Sequence, residues 1–195
     1  MGVVLLLASL FTPALAHHPF GMAEGGDLNA WQGLLSGIGH PLLGPDHLLF
    51  LLAIGFVGLA RPQAWVIPLL AVGLGGSVLS QVVALPDVLG PWAESLVAIS
   101  LALEGLVALS VLPAAWLLPL FGVHGFLLGG TILGAEPTPL VAYFLGLLLG
   151  QGALLLVITA MSQRLLGWLG QQGQRLVAGI WIGIGCAFTW VALVP

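Results

Sequence analysis

Runs of about twenty apolar residues follow one another along nearly the whole chain, and about twenty is the length at which a helix crosses ~30 Å of hydrocarbon. That recurrence limits the possible folds more than any other feature. The scarcity of charge points the same way. Three Arg and seven Asp or Glu among 195 residues make the chain 5% charged, against about 25% in an ordinary soluble domain. With 59% of its residues apolar, it cannot cover a water-facing surface. The pattern predicts an all-α polytopic membrane bundle.

The residue types exclude several functions. The cations are Arg61, Arg164 and Arg175, and there is no Lys. A Walker A nucleotide site and a retinal Schiff base are therefore absent from the sequence. Cys186 stands alone, so no internal disulfide, CxxC or CxxCH motif exists. Nothing basic points to nucleic acid. No HExxH, G-x-S-x-G or set of histidine boxes is present, so the chain does not read as an enzyme, and no resident cofactor is expected.

Residues 1–16 form a short apolar run ending Ala14-Leu15-Ala16, an A-x-A pattern that predicts a cleaved signal peptide although the run contains no Lys or Arg. Residues 17–195 then form a single transmembrane domain beginning His17-His18. Six spans are expected, at 29–59, 64–85, 93–112, 115–134, 139–161 and 174–194, with Pro and Gly at the joints and a polar loop at Gln171–Arg175. The first is too long for one straight crossing and should break or kink at Gly39-His40-Pro41 and Gly44-Pro45. All three arginines fall in the 1–2 and 5–6 loops, which the positive-inside rule makes cytoplasmic. Glu24, Asp27, Asp87, Glu94 and Glu136 then lie at or near the outer face. A signal peptide likewise puts the mature N-terminus outside, and six spans return the C-terminus there. Glycines four residues apart (Gly33/Gly37, Gly125/Gly129, Gly146/Gly150, Gly179/Gly183) are expected to let helices pack closely in lipid.

Ionisable residues inside a bilayer are costly, roughly 2.5–3.5 kcal/mol for an Asp at a helix centre on insertion scales, and those that persist usually serve a pathway or a ligand. His40, Asp46, His47, Glu104 and His124 qualify. In an unbroken helix His40 and His47 stand about 10.5 Å apart along the axis, too far to share an ion. The two prolines and two glycines around them can fold them together, since unwound backbone at membrane depth is tolerated where it lines a cavity. Two imidazoles and a carboxylate suit Ni²⁺, Co²⁺, Cu²⁺ or Zn²⁺ better than Mg²⁺ or Ca²⁺. The plainer alternative is a Pro-kinked helix with hydrogen-bonded histidines. His124 is a ligand or a helix–helix hydrogen bond by position alone. Glu104 is expected to be neutral or paired, and either relays protons or completes a site. Glu94 and Glu136 are solvated ends or, with His17 and His18, a cation-gathering outer mouth.

At these residues the sequence resembles the HupE/UreJ family of small membrane proteins. The likeness covers most of the chain. It includes the segment ending before His17, Gly37-Ile-Gly-His40-Pro-Leu-Leu-Gly44-Pro-Asp46-His47-Leu48, the stretch Glu94–Ser100, His124-Gly125 and Glu136-Pro137. The His-x5-Asp-His element is the specific part. The resemblance implies nickel or cobalt uptake, often alongside hydrogenase, urease or cobalamin functions, with His40, Asp46, His47 and Glu94 on the metal's path. Two departures stand out. Family members usually carry a second His soon after the fourth-span His-Gly with the Glu close behind, whereas His124 and Glu136 here are twelve residues apart with no His between. A His expected in the fifth span is Gln151.

The resulting expectation is a six-span bundle in a bacterial inner membrane passing Ni²⁺ or Co²⁺ inward, with His40, Asp46, His47, Glu94, His124 and Glu136 as metal contacts and His17, His18 and Glu104 in support. The ion and the bilayer are its partners; a second copy or metalloenzyme-maturation proteins are further candidates. The rivals are a non-transporting accessory subunit or scaffold and, further off, an intramembrane metalloenzyme or a b-type haem protein using His47 and His124 as axial ligands.

Overall fold

A computed structural model describes residues 29–83, 85–130 and 137–194. The expected signal peptide, together with His17, His18, Glu24, Asp27 and Glu136, lies outside the described residues. Those described form helices α1 (Ala30–Leu43), α2 (Pro45–Phe56), α3 (Pro62–Leu79), α4 (Gly90–Ala108), α5 (Leu117–Gly130) and α6 (Pro137–Leu193), with 3-10 turns at Asp87–Leu89 and Ala114–Trp116. No strand occurs among them.

The first helix starts at a capping box. The Asn29 side chain accepts from the Gln32 amide at 2.9 Å, and the Gln32 side chain accepts from the Asn29 amide at 3.0 Å. Its end follows from proline chemistry. Pro45 has no N–H to give the Pro41 carbonyl, and the residue before a proline is pushed out of the helical region. Gly44 accordingly takes φ −76°, ψ 112°, and α1 and α2 meet there at 67°. Pro45 then opens α2, where a missing N–H costs nothing.

Among the described residues, three helices are long and apolar enough to cross a membrane, four if the bent pair α1–α2 is one span, and the apolar helix Ala114–Gly130 is shorter. The fifth and sixth expected spans fall within α6. The polar stretch Gln171–Arg175, expected as a loop, is helical, since Gln and Arg are good helix formers. The irregularity sits just before it, at Gly170 with φ 61° and ψ 179°, a conformation that glycine adopts without a Cβ penalty.

Packing follows three of the four expected glycine pairs; at Gly179 and Gly183 a Cβ would meet nothing within 4 Å. On α1, a Cβ at Gly37 would strike the backbone of Tyr143 and Leu147 on α6, and one at Gly146 would strike Leu34 and Gly37. Past Gly170, α6 turns to α4, where Gly105 lies against Ala178 and Ile182. Helices α3 and α5 meet through Gly73, Gly76, Gly122, Gly125 and Gly129. Ser77 clamps this crossing by donating to the Gly125 carbonyl at 2.6 Å, and Gln81 by donating to that of Gly129 at 2.7 Å. Phe50, Ile54, Leu69, Leu101, Phe121 and Leu155 fill the centre from five helices. The outward faces stay apolar, with Ile67, Leu156, Leu176 and Trp190 exposed, as lipid rather than water requires.

Candidate metal site

The bend at Gly44 controls the site. It lets His40, in the last turn of α1, and His47, in the first turn of α2, turn into one buried centre, their ring centroids 5.5 Å apart. Gly44 has to be small for this. A Cβ there would lie 2.9 Å from the His47 ring, 3.2 Å from the His40 carbonyl oxygen and 3.4 Å from an Asp46 carboxylate oxygen. Asp46 stands at the N-terminus of α2, where the helix presents its positive end, with Oδ2 3.8 Å from His47 Nε2.

Helix α5 brings in His124. Its Nδ1 lies 3.2 Å from His47 Nδ1, its Nε2 lies 2.6 Å from the Ser100 hydroxyl of α4, and its ring stacks on Phe50 at 3.6 Å. Tyr143 of α6 donates to the Leu128 carbonyl at 2.7 Å, and its oxygen stands 3.4 Å from His40 Nδ1. His40, His47, His124, Ser100 and Tyr143 are all buried; Asp46 is the partly open member, its side chain 30% exposed. The histidines are thus packed against hydroxyls and an aromatic ring, with a partly exposed carboxylate beside His47.

Other expected residues sit apart. Glu94 is exposed on α4, six residues before Ser100, which is about 9 Å along the helix and on another face. Gln151 is buried beside Gly73 of α3, its amide oxygen without a hydrogen-bond partner. Glu104 lies one turn beyond Ser100 on α4, 1% exposed, with neither carboxylate oxygen hydrogen-bonded. Among the described residues no three His, Cys, Asp or Glu side chains converge closely enough to hold an ion by themselves. The chemically ready pair is Asp46 with His47. Donor atoms 3.8 Å apart fit either side of an ion bound at about 2.0–2.2 Å.

Ser100, Tyr143 and Phe50 were not expected at the site. A signal for the hydroxyls existed, since a Ser in an apolar run and the chain's single Tyr each need a hydrogen-bond partner in lipid. Nothing in the sequence said that the partner would be a histidine.

An unpartnered buried carboxyl costs about 1–3 kcal/mol. Glu104→Met is therefore expected to raise the melting temperature of the detergent-solubilised protein. A lower melting temperature would show that the carboxyl is held by a favourable contact.

Histidines meeting at a bent helix, within a bundle whose outward faces are apolar, define a helical membrane protein with a polar centre. Sequence comparison takes this further: the chain matches the family described as HupE / UreJ protein over residues 5–188, and it belongs to that family. It is also similar to "Protein HupE" of Rhizobium leguminosarum bv. viciae, 33% identical over 110 residues that cover 54% of this chain and 51% of that protein. The chain thus spans about half the length of this curated relative in the alignment. No solved structure matches.

Proposed function

We propose that this protein carries a divalent transition metal, Ni²⁺ or Co²⁺, inward across a bacterial inner membrane. One observation supports the reading: the bend at Gly44 turns His40 and His47 toward each other with Asp46 beside His47, and α5 sets His124 against His47. Imidazole with carboxylate selects late first-row metals over Mg²⁺ or Ca²⁺. Family membership supports it, through the family's link to nickel or cobalt uptake and to hydrogenase and urease accessory roles.

In this reading the bent pair α1–α2 is one interrupted span, Ala114–Gly130 is another, and α6 supplies two, divided near Gly170. Arg61, Arg164 and Arg175 then share the cytoplasmic side and both mature termini lie outside. Glu94 and Glu136, with His17 and His18 after signal-peptide removal, gather the cation. Asp46 and His47 strip part of its water, His40 and His124 stand beside them, and Glu104 lies further along. A two-donor station suits transport, because an ion held by four protein ligands would not leave.

The lack of a third convergent ligand among the described residues is what favours the second reading, an accessory subunit or scaffold for metalloenzyme assembly. Uptake of radiolabelled Ni²⁺ and Co²⁺ into proteoliposomes separates the two. The native protein is expected to load vesicles above the protein-free background and His47→Ala is not. No uptake by the native protein, in vesicles shown to contain it correctly oriented, would hand the function to the accessory reading.

A further inference from the structure

The hydroxyl of Ser100 decides more than its own hydrogen bond. A serine has one proton to donate, and that of Ser100 goes to the Val97 carbonyl at 2.5 Å. Toward His124 Nε2, 2.6 Å away, Ser100 Oγ can therefore act only as an acceptor. In this contact His124 Nε2 carries the proton. A neutral imidazole protonated at Nε2 has its lone pair at Nδ1. His47 Nδ1 lies 3.2 Å from that lone pair, and two bare nitrogens at such a distance would repel, so His47 Nδ1 is the donor. The lone pair of neutral His47 is thereby left at Nε2, the nitrogen that faces Asp46 Oδ2.

We propose that Ser100 is a positioning residue of the metal site, acting through His124 to hold His47 with Nε2 presented beside the Asp46 carboxylate. The inference rests on the transport reading for its metal and on the hydrogen-bond geometry for its direction. His124 becomes a relay rather than a ligand in this arrangement, since both its nitrogens are already engaged. A metal-bound histidine commonly donates its second N–H to a neighbour that fixes the ring, and losing such a partner typically lowers metal affinity about 10–100-fold. Here the partner is another histidine, and the chain of donors ends on a backbone carbonyl of α4. Phe50, stacked on His124 at 3.6 Å, keeps that ring from turning.

The test uses the full-length protein in detergent, with ¹⁵N-labelled histidine and His47→Gln to assign the His47 signals. In the metal-free native protein at about pH 8, above the ordinary imidazole range, His47 is expected as the Nδ1–H tautomer and His124 as the Nε2–H tautomer. Finding His47 protonated at Nε2 would overturn the proposal without any Ser100 variant having to fold. In Ser100→Ala the His47 tautomers are expected to mix, and the dissociation constant for Co²⁺ alone to rise about 10–100-fold. A purely structural serine would lower the melting temperature and leave tautomer and Co²⁺ affinity as in the native protein, which would also overturn it. If the native protein binds no Co²⁺, the transport reading fails instead, and the tautomer spectrum decides the hydrogen-bonded chain by itself.

Discussion

Asp46→Asn is expected to lower Ni²⁺ or Co²⁺ uptake at least 10–100-fold, the loss that removing even an outer partner of a metal ligand typically brings, with the protein still folded. The substitution keeps the shape of the side chain and removes its charge. Because the Asp46 side chain is 30% exposed and sits 3.8 Å from His47 Nε2, the amide does not bury an unsatisfied group. It does remove the single anionic donor at the pair. Asp46→Glu restores the charge on a longer stem and is expected to recover part of the activity. Initial uptake rates in proteoliposomes, normalised to incorporated protein, measure both. Native rates in Asp46→Asn would remove the carboxylate from the path, and with it the reason to read the bend at Gly44 as a metal station.

Gly125→Val should act on the bundle rather than on the ion. A Cβ at Gly125 would sit 2.6 Å from the carbonyl carbon and 2.8 Å from the Cα of Gly73, as well as against its oxygen. Backbone cannot swing aside as a flexible side chain can. Helices α3 and α5 must separate, which weakens the 2.6 Å hydrogen bond from Ser77 to the Gly125 carbonyl and shifts the neighbouring His124. Overpacking of this kind costs about 1–3 kcal/mol and occasionally more, with roughly 0.6 kcal/mol for an interhelical hydrogen bond in a membrane. A large drop in melting temperature in detergent, or no recoverable folded protein, is the expected result. Gly75→Ala is the control. Nothing lies within 4 Å of a Cβ at that position, and alanine is favoured over glycine in a helix by up to about 1 kcal/mol. Equal stability of the two variants would refute the close crossing of α3 and α5.

Much of the architecture could be read from the chain because it is local. Helicity and length follow from apolar runs, since a backbone in lipid must satisfy its own hydrogen bonds. The interruption between Leu43 and Pro45 follows from one missing N–H and from the restriction on the residue before it. The boundary within α6 was less legible. Gln171 to Arg175 looks like a loop by polarity, but polarity does not break a helix; the positive φ at Gly170 does, and several other glycines lie nearby. Glu94 and His47 illustrate the same limit at the site. Both look like ligands in sequence, yet one is exposed on its helix and the other is buried against His124.

Composition and the recurring apolar runs by themselves determined that this is a helical membrane protein, and the His-x5-Asp-His element marked the residues that the bend at Gly44 draws together. Each of these is written in residues close together along the chain. The tertiary structure alone decided that His124 meets His47 across 77 positions, that Ser100 holds the far side of His124, and that Tyr143 stands over His40 across 103. Those contacts depend on how glycine-lined faces of separate helices come together. In lipid that choice has no hydrophobic drive and is made by close packing and a few interhelical hydrogen bonds, which no single helix carries in its own sequence.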